Sequence, residues 1–208
     1  MRSRRIWWLA AGVGAAAAVS CVVAVRLAGQ GPALIPDPAR ARAIMPAVTA
    51  YLDSPSYRQA EGAFSAAEYR AGRVRWLCNA TLVEVRRDGG RWRAGMDVWC
   101  GDYERHGGKV YQDDGGDMGH VVMILSGDGR YRVLSAAQEP GVSPDPAWID
   151  RHFSDLAAAE INSSGGPMAS MPDNRALLSF GCAPGAKGSV VQLPGGQGSS
   201  WAFPCRSA

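Results

Sequence analysis

A hairpin carrying two cysteines constrains this chain more than any other feature. The runs Val74 to Val85 and Trp92 to Tyr103 alternate apolar with polar residues, and Asp88-Gly89-Gly90 lies between them. Alternation at period two marks a half-buried strand, and a three-residue loop containing glycine is a common closure. With that loop, residues whose numbers add to 178 face each other. Cys78 then meets Cys100, Ala80 meets Val98 and Leu82 meets Met96. Val74, Trp76, Ala80 and Leu82 share a face with Trp92, Ala94, Met96 and Val98. A slip of one residue would turn the apolar set to the wrong side and offset the sulfurs. The register predicts an antiparallel sheet crossed by a Cys78–Cys100 disulfide.

A disulfide needs an oxidising compartment, and the N-terminus points to one. Arg2, Arg4 and Arg5 precede an uncharged run from Ile6 to Val25, which Arg26 closes. About 20 apolar residues in a helix, at about 1.5 Å each, span the ~30 Å hydrocarbon core of a bilayer. The arginine bias places the N-terminus in the cytoplasm and the rest outside. The expectation is a single-pass anchor in the cell membrane with an extracytoplasmic domain, Trp7 and Trp8 sitting at the interface. Two alternatives stay open. Ala18-Val19-Ser20-Cys21 loosely fits a lipoprotein signal, and Ser3-Arg4-Arg5-Ile6-Trp7-Trp8 resembles a twin-arginine export signal. Cleavage after the run is disfavoured, because Arg26 falls where a signal peptidase needs a small residue.

Outside the anchor, Cys78, Cys100, Cys182 and Cys205 form an even set. With the first two paired by register, elimination leaves Cys182–Cys205. The spacings contain no C-x2-C pair, which argues against zinc, and no metal or other cofactor is expected.

The formal charge of +3 misleads. Four of 22 Lys and Arg residues flank the anchor, so the exported part sets 18 cations against 19 anions. That balance argues against a nucleic-acid binder. Arg70, Arg73, Arg75, Arg86, Arg87, Arg91 and Arg93 read as strand ends and the solvated face of a hairpin. Asn79-Ala80-Thr81 matches a glycosylation sequon but carries no weight in a chain with the composition of a GC-rich bacterial gene.

The order of elements divides the chain into an anchor (1–28), a Gly/Pro linker (29–36), a domain (37–162) and a Gly/Pro-rich, disulfide-closed tail (163–208). Asp37-Pro38 starts a helix and Ser54-Pro55 a second. Ile44, Val48, Tyr51 and Leu52 line one face of the first, with a kink expected at Pro46, and Tyr57, Phe64 and Ala67 line the second. Strands follow at Val74–Val85, Trp92–Tyr103, Lys109–Gln112, His120–Leu125 and Tyr131–Ser135. Asp145-Pro146 opens a last helix with Ile149, Phe153 and Leu156 on one face. From Ser163 onward the chain reads as irregular.

Candidate chemistry is sparse. His106, His120 and His152 are the three histidines, and none sits in a motif that needs a catalytic imidazole. Asp113-Asp114-Gly115-Gly116-Asp117 offers carboxylates to a hard cation but lacks the alternating ligands and distal Glu of a calcium loop. Asp97, with Trp99, Asp102 and Tyr103 nearby, could act as a buried general base beside a Tyr donor. Yet Asp97, Trp99 and Tyr103 fall on the face opposite Met96 and Val98. No catalytic residue is assigned.

Two helices, a curved antiparallel sheet and a late helix define an α+β class. The carrying segments are Trp76 to Val85, Asp88-Gly89-Gly90-Arg91-Trp92, Asp102-Tyr103-Glu104, Val121-Val122-Met123 and Gly127-Asp128-Gly129-Arg130-Tyr131-Arg132-Val133. In element order and turn sequence they resemble the nuclear transport factor 2-like (SnoaL-like) superfamily, over roughly residues 40 to 140. The resemblance implies a cone in which helices pack into a bent sheet. Trp76, Leu82, Trp92, Met96, Phe64 and Tyr51 would line it. Membrane-tethered members resemble scaffold subunits of bacterial secretion and conjugation machines or proteins accompanying lipid import. The implied function is a non-enzymatic envelope scaffold with a protein partner. The alternatives are a binder of a small apolar ligand and, further off, an isomerase.

Overall fold

The computed structural model describes residues 37–61, 71–112, 117–127, 130–141, 144–192 and 199–207. The expected anchor and linker, Cys21, Phe64, Ala67 and the acidic loop 113–116 lie outside these residues. Among the described residues, no helix is long and apolar enough to cross a membrane.

Asp37 starts helix α1 (Pro38–Leu52) as expected: its Oδ1 accepts from the Ala39 amide at 3.1 Å, and Pro38 fills a first-turn position whose N–H would be unpaired anyway. The helix runs through Pro46 and buries Ile44, Val48 and Leu52. Ser54 opens α2 (Pro55–Glu61), its Oγ accepting from Tyr57 N at 3.4 Å. The sheet follows: β1 (Val74–Asp88), β2 (Arg91–His106), β3 (Lys109–Gln112), β4 (Asp117–Leu125) and β5 (Val133–Gln138). β2 is central. It pairs with β1 along one side and with β4 and then β3 along the other, all antiparallel.

The hairpin register holds over its outer half and fails at its turn. Val74↔Glu104 through Cys78↔Cys100 to Leu82↔Met96 match the expectation. Beyond a shift between Leu82 and Glu84, the partners are Glu84↔Gly95 and Arg87↔Trp92, and Asp88 pairs with Arg91. The turn is therefore the two residues Gly89-Gly90, not three, and a bulge at Val83 absorbs the difference. The bulge also switches faces. Trp76 and Cys78 before it and Val85 after it all lie in the inner core, while Val83 and Glu84 turn outward.

Inside, α1 lies across Trp76, Cys78, Val85, Trp92, Ala94, Met96, Val98, Val121, Met123 and Leu125. Its direction is set at both ends. The Arg40 guanidinium lies over the Trp92 ring near the β1–β2 turn, and Trp76 Nε1 donates to Leu52 O at 3.1 Å at the other end.

The outer face is covered by the C-terminal third of the chain. The expected single late helix is two, α3 (Pro146–His152) and α4 (Asp155–Ser164). The break falls at Phe153-Ser154 because Ser154 caps α4, its Oγ accepting from Ala157 N at 3.4 Å, while its own N–H meets the buried Glu84 carboxylate. Leu156, expected on the apolar face, is exposed. Trp148, Ile149, Phe153, Ala157, Ala158 and Ile161 cover Val122. Gly95 of β2 lies directly beneath: a Cβ there would sit 2.4 Å from Phe153 Cε1, so only glycine admits the ring.

Residues 163–208, expected to be irregular, add helix α5 (Asp173–Ser179) and strands β6 (Ser189–Gln192) and β7 (Ser199–Pro204). β7 pairs with β3, and β6 with β7, extending one seven-stranded sheet. α5 packs Ala176 and Leu177 against Leu77, Tyr103, Val110 and Phe203. Both expected disulfides form, Cys78–Cys100 and Cys182–Cys205.

Candidate functional site

The residues expected to line a cone come together. Trp76, Trp92 and Met96 are buried in the inner core, with Leu82 and Tyr51 packed against it; Phe64 lies outside the described residues. Their polar handles are already engaged. Trp76 Nε1 bonds Leu52 O, and the Trp92 ring carries the guanidinium groups of Arg40 and Arg87 at 4.3 and 4.5 Å from its centroid.

The polar residues with chemical potential lie on the outer face instead. Asp97 and His120 are direct cross-strand partners on β2 and β4. Glu139, just past β5, places Oε2 2.8 Å from His120 Nδ1 and 3.2 Å from the His120 backbone N. Its Oε1 accepts from the Asp145 amide, and Asp145 caps α3 by accepting from Ala147 N and Trp148 N. One buried carboxylate thus ties β4 to the start of α3. Sequence reasoning missed Glu139, because nothing in Gln138-Glu139-Pro140 marks a carboxylate turning inward.

The Glu139 carboxylate holds the imidazole through Nδ1 and leaves Nε2 as the ring's other nitrogen. Nε2 is buried without a hydrogen-bond partner; among the described residues Gln112 Oε1 is in the same state. Such an atom is a base in principle. Here the ring is buried beneath Phe153, edge to face at 5.8 Å between centroids.

Asp97 is capped as well. Its Oδ2 accepts from Ala169 N at 2.5 Å, in the strap 165–172 between α4 and α5. Asn79 Nδ2 donates to Ser170 O at 3.0 Å and Met171 O at 3.1 Å, and Thr81 Oγ1 to Met168 O at 3.3 Å. Burial raises the Asp97 pKa above the ordinary carboxylate value, with the Ala169 hydrogen bond opposing.

Tyr103 lies apart from Asp97, under α5. Its hydroxyl donates to Asp173 Oδ1 at 3.0 Å. Burial, and then the neighbouring Asp173 charge, push the phenol well above its ordinary range. Asp173 is raised by burial, with the Tyr103 hydrogen bond opposing. The Asp97 and Tyr103 of the sequence reading do not share a site. His152 stacks on Trp148 at 4.1 Å, with Nδ1 2.8 Å from Trp148 O, and His106 is exposed at a strand end. Among the described residues, no group of three His, Cys, Asp or Glu side chains is arranged to hold a metal.

Exposed large apolar side chains are spread over the described residues, among them Met118, Leu134, Leu156, Met168 and Leu178. Val190 and Trp201 are direct cross-strand partners on β6 and β7, 56% and 39% exposed. Through Gln112 and Tyr103 they continue the face that α5 covers. Comparisons with protein-family models, curated proteins and solved structures returned no match to the chain.

Proposed function

We propose that the chain is a membrane-tethered, extracytoplasmic accessory domain that works by holding a protein partner, not by turnover. The observation that carries this reading is the use of its reactive side chains. Asp97 fastens the strap, Glu139 and His120 fasten α3, Tyr103 and Asp173 fasten α5, and His152 packs on Trp148. The first three join one element to another, and the His152 contact lies within α3. The exposed Val190–Trp201 pair, two large apolar side chains facing each other across β6 and β7, is the surface proposed for the partner. A shared ancestry with the nuclear transport factor 2-like superfamily remains part of the proposal. The helices preceding an antiparallel sheet support it, and α3 to α5 on the outer face go beyond the minimal fold.

A photo-crosslinking amino acid at Trp201 of the full chain, in its native envelope, should give a discrete adduct. The same group at Leu156, which is also exposed but lies on α4, should give none. Asp97→Asn and Tyr103→Phe should leave the adduct and the cellular function intact. Loss of function in Asp97→Asn with fold and adduct preserved would overturn the reading in favour of chemistry. An apolar molecule co-purifying in native mass spectrometry would favour the ligand-binding alternative.

A further inference from the structure

We infer that the β1–β2 turn end of the sheet is a docking surface for an anionic lipid bilayer. The inference deepens the tethered reading and rests on it.

The fold gathers arginines at this end from three parts of the chain. In the hairpin, Arg86 pairs across with Arg93, Arg87 with Trp92 and Arg91 with Asp88. The β4–β5 turn is pressed against the same spot: Leu125 pairs with Trp92, and a Cβ on Gly127 would sit 2.1 Å from Gly90 O. That turn carries Arg130 and Arg132, held through Ser126, whose Oγ donates to Arg130 O at 2.8 Å and accepts from Arg132 N at 3.0 Å. The first turns of α1 bring Arg40 and Arg42.

Like charges placed directly opposite, as Arg86 and Arg93 are, work against folding unless compensated. Arg86 lies 3.7 Å from Glu84, and Arg93 donates to His152 O at 2.7 Å. Arg87, Arg91 and Arg130 are exposed. Arg40 and Arg87 lie over Trp92, which engages the flat face of each guanidinium and leaves its N–H edge to meet an oxyanion. In the sequence of these three segments, 37–42, 84–93 and 126–132, eight arginines stand against four carboxylates. The other ten cations of residues 27–208 stand against fifteen carboxylates.

The tether joins at the basic end. Ten residues separate Arg26 from Asp37, and these eleven steps span at most about 40 Å of extended chain. An anchor in the run 6–25 therefore holds this end within reach of headgroups. Contact is then intramolecular, and weak phosphate contacts suffice.

The test uses the full chain with Cys21→Ser, reconstituted in nanodiscs of phosphatidylcholine alone or mixed with phosphatidylglycerol. A fluorophore sits on Gly90→Cys, where a side chain meets open space, or on Leu178→Cys of α5 as a control, and the lipids carry a headgroup quencher. Quenching at position 90 should be several-fold greater with phosphatidylglycerol. High salt, and the variant Arg87→Glu/Arg91→Glu/Arg130→Glu, should abolish the difference. The label at 178 should not respond. Equal quenching in both lipids, or a charge-reversed variant that behaves as the parent with its disulfides and melting intact, would overturn the inference. Release of the chain by an alkaline wash would overturn the anchor alone. The released chain should then still sediment with phosphatidylglycerol vesicles, and failure to do so would overturn the docking surface too.

Discussion

Gly95→Ala tests how α3 and α4 are seated on the sheet. In a strand, replacing Gly by Ala ordinarily gains about 0.5–1 kcal/mol through lower backbone entropy in the unfolded chain. At this position the new methyl would lie 2.4 and 2.9 Å from Phe153 Cε1 and Cδ1, and 3.1 Å from Glu84 Cγ. Ordinary carbon contacts are about 3.5–4.0 Å, so the ring must retreat by more than about 1 Å. It has little room, being buried with Trp148 and His120 rings at centroid distances of 6.2 and 5.8 Å. Overpacking of this kind costs about 1–3 kcal/mol, so a net loss of about 1–2 kcal/mol is expected. For a domain of this size that lowers Tm by about 2–8 °C. Phe153→Ala should cost about 3–5 kcal/mol by itself. Adding Gly95→Ala to it should cost nothing further or restore some stability, since the clash has gone. Thermal melts of the two single variants and the double variant measure the coupling. A Gly95→Ala protein as stable as the parent, or a double variant whose losses simply add, would refute this packing.

Arg175 of α5 reaches around β1 to donate to Cys78 O and to Asp53 Oδ2, while Asp53 Oδ1 accepts from Cys78 N at 3.1 Å. Arg175→Ala should lose about 2 kcal/mol, as for a hydrogen bond to a charged group, and Arg175→Lys should recover only part of it in urea titrations. Asp97 and Asp173 both have raised pKa values in the fold. Their stabilising contribution is complete below the ordinary Asp value near 4 and is lost as pH rises through the raised one. Asp97→Asn, which can still accept from Ala169 N, should therefore flatten the fall in Tm between acid and neutral pH; a steeper fall would contradict the assignment. Cys182→Ser/Cys205→Ser opens a link across 23 residues and should cost about 3 kcal/mol in melts by the chain-entropy model.

The legible parts of the fold were those set by local pattern. The Cys78–Cys100 pairing follows from alternation and is present although the turn has two residues instead of three, because the bulge at Val83 adds back the residue that the shorter Gly89-Gly90 turn removes. Nothing local requires that bulge. It turns Glu84 toward the Ser154 amide, a partner 70 residues away. The strands β6 and β7 were hidden for the same reason. Ser189-Val190-Val191-Gln192 is short and flanked by Gly and Pro, and it becomes a strand because β7 pairs with β3, a non-local choice. The break before α4 was readable, since Ser154-Asp155 is an N-cap followed by an acidic first turn. At the outer-face site, the register placed Asp97 correctly opposite the inner core. The contact of Glu139 with His120 depends on the backbone path after β5, which no periodicity encodes.

The two proposed surfaces make one geometric argument. Trp92 marks the basic end of β2, and Tyr103, eleven residues along, pairs with Gln112, which in turn pairs with Trp201. At about 3.3 Å per residue, those eleven residues place the Val190–Trp201 pair about 36 Å from the arginine end along the strands. A domain docked by its arginines would hold Val190 and Trp201 well clear of the headgroups, facing a partner in the space beyond. Seated the other way, the domain would lose the contacts of these arginines with an anionic bilayer. The arginine contacts would therefore fix which end faces the partner, so the Arg87→Glu/Arg91→Glu/Arg130→Glu variant should also weaken the Trp201 adduct while leaving Trp201 untouched. An adduct of unchanged yield in that variant, with the chain still anchored, would show that orientation on the membrane does not govern access to the partner.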